Sequence, residues 1–121
     1  MFYGINKDKD RERLAGAIGV LQDLYPAHYC SDMLCTFERN MSFLKDEKFR
    51  KAFFDNALEQ NEQGRAWRLH TLCWAAQNAL EVQGDLVECG TFNGFSMSVV
   101  LDYLGWKDLG VHEEKTVQLR S

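Results

Sequence analysis

Five residues constrain this chain most: "DLVEC", Asp85 to Cys89, set between Gly84 and Gly90. The run is too short for a helix and has the composition of a buried strand. A loop with two glycines, "GTFNG", follows at once. Helical spacing then resumes through Met97, Val100, Leu101 and Leu104 and ends at Gly105. Such a strand needs neighbours to satisfy its backbone N–H and C=O groups. Only the tail "WKDLGVHEEKTVQLRS" lies downstream, with "KTVQL" as its one strand candidate. One strand, or two, cannot make a full parallel sheet. The few apolar residues of the tail (Val111, Val117, Leu119) therefore lack a sheet partner, and poor packing is expected from Val111 onward.

The chain upstream reads as helices. Leu14, Ala17, Ile18, Leu21 and Leu24 form one apolar stripe, with Asn6 or Asp8 as its cap and a stop at about Tyr25, before Pro26. Ser31 is a plausible cap for a second helix along Met33, Phe37, Met41 and Leu44. A third follows Asp46 through Phe49, Ala52, Phe53 and Ala57. The stretch "EQNEQG" reads as a loop. A fourth helix from Arg65 to about Glu81 lines up Leu69, Leu72, Cys73, Ala76, Ala79 and Leu80, and Gly84 breaks it.

A tight strand-to-helix turn aims backbone N–H groups and the positive end of the helix at whatever lies above the strand. Glycine there permits close approach of a ligand and unusual dihedrals. In open α/β sheets this crevice is where ligands bind. Glu88, at the end of the strand, offers an acceptor for an amine or hydroxyl. It would repel a phosphate, and the lysine of a P-loop is missing. The other reading of the same residues is a turn whose glycines serve geometry alone.

Composition narrows the field further. A net charge of −4 and a pI near 5.3 speak against unassisted binding to nucleic acid or anionic membrane. The apolar stretches fall short of a membrane span, and "MFYGINKDKD" lacks the order of a signal peptide. Cys30, Cys35, Cys73 and Cys89 show neither CxxC pairing nor the density of a disulfide scaffold, so a reduced, cytoplasmic setting is expected. His28, Cys30 and Cys35 lack the usual zinc spacing, and no metal site is assigned. Cys89 reads as a small buried residue rather than a nucleophile, and the set Phe37, Phe43, Phe49, Phe53 and Phe54 as core and lid packing.

The stretch "WRLHTLCWAAQNALEVQGDLVECGTFNGFSMSVVLDYL" resembles the first motif of class I S-adenosylmethionine-dependent methyltransferases, in the version of the macrocin O-methyltransferase family. The upstream "FERNMSFLKDEKFRKAFFDNA" is similar to the helical lead-in of bacterial members. The resemblance spans roughly Met33 to Leu109 and is most specific in "GDLVECG" and "WRLH". It implies an α/β fold in which a helical segment leads into the first strand–loop–helix of a Rossmann-like methyltransferase, truncated and therefore mostly helical. It implies S-adenosylmethionine as cofactor and methyl transfer to a hydroxyl of a sugar or similar small molecule. The reaction in the family is direct displacement at the methyl carbon, assisted by proximity and a base. Glu88 would anchor the methionine end, and Gly90, Thr91, Phe92, Asn93 and Gly94 would wrap the cofactor. Ser96 would sit on the first helical turn. Arg68 would reach the cofactor carboxylate from the preceding helix, or else serve as a surface or packing arginine.

The pattern then departs from the family. An acid at the end of the second strand should hold the ribose hydroxyls. Glu113 lies near the expected spacing, but Glu113 and Glu114 precede "KTVQL" instead of ending it, so no ribose acid is assigned. The adenine pocket, the catalytic base and the metal carboxylates are not found, so no catalytic or metal residue is named. The chain divides into a helical lead-in (1–83), a strand–loop–helix unit (84–110) and a divergent tail (111–121). Two readings follow. One is an incomplete or inactive O-methyltransferase-like protein with a small-molecule acceptor, no nucleic-acid or membrane partner, and a possible oligomer. The other is a non-catalytic helical interaction module that keeps the loop.

Overall fold

The computed structural model describes residues 4–37, 41–109 and 115–120 and is mixed α/β, mostly helical. Two compact units divide at residue 42, Met1–Ser42 and Phe43–Ser121. No helix among the described residues is long and apolar enough to cross a membrane.

In the first unit, α1 runs Asp8–Leu24, with Asp8 and Asp10 in its first turn, where they complement the helix dipole. Lys7 occupies the N-cap position without a side-chain bond, in place of the expected Asn6 or Asp8. The Tyr25 N–H closes the last turn on the Leu21 carbonyl, and Pro26 prevents continuation. Leu14, Ile18 and Leu21 are half-buried, and Leu24 is exposed.

The helix expected along Met33, Phe37, Met41 and Leu44 is not formed among the described residues. Met33 instead lies in the turn of an antiparallel hairpin, β1 (Tyr29–Ser31) and β2 (Leu34–Thr36). Asp32 and Met33, at φ 50° and 63°, form the two-residue turn between them. Aromatic, Cys and Thr side chains suit paired strands, and the ladder satisfies local backbone groups without the nucleation cost of a helix. Tyr25 and Phe37 meet edge to face at 5.5 Å.

The second unit holds the core. After a 3₁₀ turn at Ser42–Lys45, α2 spans Glu47–Asn56. Its cap is Asp46, whose carboxylate accepts from Lys48 N–H at 2.9 Å and Phe49 N–H at 3.2 Å. Four-residue α3 (Gln60–Gln63) replaces the expected loop, held by a capping box between Glu59 and Glu62. Helix α4 spans Ala66–Ala79, ending two residues before the expected Glu81. Phe49, Phe53, Leu69, Cys73 and Val99 are fully buried. Each large apolar side chain removed from water there stabilises the unit by roughly 1.5–3 kcal/mol. Phe43 stacks on His70 at 4.7 Å and meets Trp67 edge to face at 5.3 Å. Phe54, by contrast, stays 48% exposed.

Strand β3 covers Leu86–Cys89, and α5 covers Phe95–Leu104, ending on Gly105 in the left-handed region. The tail bears out the strand candidate in "KTVQL" and corrects the expectation that it lacks a sheet partner. Val117–Arg120 form β4, which pairs in parallel with β3 in the register Leu86↔Val117, Glu88↔Leu119 and Cys89↔Arg120. Val117 packs on the core. Two clamps hold this segment. The Asp85 carboxylate accepts from Thr116 N–H at 2.9 Å and Gln118 Nε2 at 3.0 Å. Buried Lys115 donates to the carbonyls of Val82 and Gly84. These hydrogen bonds hold Asp85 below the usual carboxylate range, Thr116 contributing most. Val111 lies outside the described residues.

Candidate functional site

The parallel β3–α5–β4 unit sets the geometry. A parallel pair needs a long crossover, and α5 supplies it, so the loop 90–94 lies beyond the carboxyl end of β3, at the start of a helix. Gly90 and Gly94 both sit at φ 77°. A Cβ built at either would meet nothing within 4 Å, so the backbone conformation, not space, requires glycine in the isolated chain.

Side chains then tie the loop down. Thr91 Oγ1 donates to Glu88 Oε2 at 3.2 Å, which orients the half-buried Glu88 side chain. Asn93 Oδ1 accepts from Phe95 N–H at 3.2 Å, while its Nδ2 donates to Glu62 Oε1 at 3.2 Å. Glu62 is only 7% exposed, and its other oxygen accepts from Leu58 and Glu59 N–H, both at 3.1 Å. One carboxylate thus joins the start of α3 to the glycine loop. Sequence reading missed it, although the Glu59–Glu62 spacing carries the capping-box signal.

Comparisons with protein-family models, characterised proteins and solved structures gave no significant match. The chemistry of the site therefore rests on its own geometry.

Of the residues singled out in the sequence, Glu88, Thr91, Asn93 and Gly94 come together at the strand end. Ser96 is half-buried on the first turn of α5. Phe92 points away from the protein, 97% exposed. Arg68 lies on the exposed side of α4, one turn before Leu72. Leu72 lines an apolar groove of about 240 Å³ with Ala76, Val87, Glu88, Met97 and Val100, and residues four apart share a helix face. Arg68 therefore starts just beyond the end of that groove. Cys89, expected to be buried, is exposed, because the face of β3 bearing Val87 and Cys89 is not covered by the core. Glu113 and Glu114 lie outside the described residues.

An amino-acid-like group fits this arrangement. An ammonium would meet Glu88, and a carboxylate would meet the start of α5, where the Ser96 and Met97 N–H groups have no intrahelical partner. The ribose side fits less well. The register puts Leu119 and Arg120 at the end of β4, where two hydroxyls would require an acceptor. The groove is also smaller than the roughly 300–1,000 Å³ of ordinary ligand pockets. The Gly90 and Thr91 N–H groups both donate to the Arg120 carbonyl, at 2.8 and 3.0 Å, and are spent on closing the sheet.

Proposed function

We propose that this chain is a cytoplasmic S-adenosylmethionine-dependent O-methyltransferase-like protein in an incomplete or inactive form. It keeps the half of a Rossmann-like cofactor site that faces methionine. The observation that carries this reading is the parallel β3–α5–β4 unit, with Glu88 next to last in the strand and two left-handed glycines leading into the helix. The cofactor would bring the activated methyl group. The chain's own part is to hold the ammonium on Glu88 and the carboxylate at the start of α5. Loop residues Gly90 to Gly94 and Ser96 would border it, and Arg68 would add a cation at the open end. The acceptor in this reading is a hydroxyl-bearing small molecule, and neither nucleic acid nor membrane is a partner.

A second reading, a non-catalytic helical interaction module, is favoured by one observation. The Arg120 carbonyl takes two loop N–H groups that a cofactor would need. Amide chemical shifts of the full chain, recorded with S-adenosylmethionine, methionine and adenosine in turn, separate the two. The methyltransferase reading expects shifts centred on Glu88–Ser96 with the first two compounds and none there with adenosine. Absence of any shift at Glu88–Ser96 would leave the interaction module.

A further inference from the structure

The first unit contains a feature the proposed function does not use: Cys30 and Cys35 face each other across the β1–β2 hairpin. The turn has two residues, so its closing pair, Ser31↔Leu34, is the hydrogen-bonded one, and the next pair outward is not. In such a non-hydrogen-bonded pair the Cα atoms lie about 4.5 Å apart with their side chains on one face. That spacing falls inside the roughly 4.4–6.8 Å a disulfide spans. Cys35 is exposed and Cys30 half-buried. A single exposed thiol offers nothing comparable: Cys89 has no cysteine opposite it, since its register partner is Arg120.

We propose that Cys30 and Cys35 form a reversible cross-strand disulfide, making this hairpin a dithiol redox site whose co-substrate is a low-molecular-weight disulfide such as glutathione disulfide. The exposed Cys35 sulfur, giving up its proton, attacks one sulfur of the reagent; the reagent's S–S bond breaks and one thiol leaves. Cys30, giving up its proton, then attacks Cys35 in the mixed disulfide and displaces the second thiol. Two electrons and two protons pass from the hairpin to the reagent, and a reducing thiol reverses both steps. Burial, and then the hydrogen bond with Cys35, raise the Cys30 thiol to about 11. Ring closure, like the first attack, needs a thiolate and therefore quickens as pH rises.

The test uses the full chain in buffers of graded glutathione to glutathione disulfide ratio, with free thiols trapped before tryptic digestion. Both cysteines fall in one tryptic peptide, Leu14–Arg39, so closure reads as loss of two hydrogens from that peptide. Expected is a linked Cys30–Cys35 peptide, reopened by reductant, while Cys89 gains only a glutathione adduct. Cys73, fully buried and raised by that burial to about 12, stays free. Unfolding in urea should raise the disulfide ratio needed for half-closure by about tenfold, because the folded hairpin holds the two sulfurs together. Cys30→Ser should leave a stable glutathione adduct on Cys35. The proposal is overturned if the native peptide keeps both thiols, if it stops at the mixed disulfide, or if unfolding leaves the half-closure ratio unchanged.

Discussion

Replacing Glu62 with Ala tests how the glycine loop is held in place. The carboxylate is nearly inaccessible and serves three donors: two backbone N–H groups at the start of α3 and the Asn93 amide. Losing an N-terminal cap costs about 1 kcal/mol. Losing the Asn93 bond removes about 1 kcal/mol more. With a urea dependence of about 2 kcal/mol per M, a total of about 2 kcal/mol lowers the unfolding midpoint by about 1 M. Glu62→Gln keeps the volume and one acceptor oxygen, but it puts an NH₂ against one set of donors and should cost about half as much. Urea unfolding followed by tryptophan fluorescence measures both, and amide exchange at Asn93–Phe95 should speed up in each. Midpoints of both variants within about 0.2 M of the parent would refute the link between α3 and the loop.

Asp85→Ala should leave α2, α4 and α5 intact while raising amide exchange across Thr116–Arg120, because it removes the carboxylate that holds Thr116 and Gln118; hydrogen exchange with mass detection reads this, and unchanged protection would show that Lys115 alone suffices. His70, packed between Phe43 and Phe49, titrates below its ordinary 6.5 because burial disfavours the charged ring, with Asp46 opposing. The folded protein therefore binds this proton less readily than the unfolded chain. That part of the stability is fully present above pH 6.5 and is lost as pH falls through the lowered folded value. His70→Phe should flatten the fall in urea midpoint between pH 7.5 and 5.5 relative to the parent; an equally steep fall would place the effect elsewhere.

What the sequence revealed depended on how local each cause is. Asp46 caps α2 through its own neighbours, and Phe49 and Phe53 repeat at the helix period, so this element was legible to within one residue. Leu86–Cys89 was equally legible, bounded by glycines that no long helix tolerates. The Met33–Leu44 stripe misled because helical spacing also occurs by chance, here between a hairpin turn at Met33 and a 3₁₀ turn at Leu44. Asp32–Met33 is a turn without the glycine that normally announces one. The pairing of β4 was hidden because its anchor, Asp85 to Thr116, joins residues far apart in sequence, and a strand with no visible neighbour reads as a loose tail. At the site, Glu88, Gly90 and Gly94 were readable from residue type and order. Glu62 and the Arg120 carbonyl were not, since tertiary contact brings them to the loop.

Calorimetric titration of the purified chain with S-adenosylmethionine tests the central claim most directly. With Leu119 and Arg120, not an acid, at the end of β4 where the ribose would lie, each lost hydrogen bond costs on the order of 1 kcal/mol, and binding should be about millimolar or weaker. Glu88→Ala should abolish what binding remains. A micromolar dissociation constant would contradict the account, because it would mean that the site is completed by groups other than those at the end of β4.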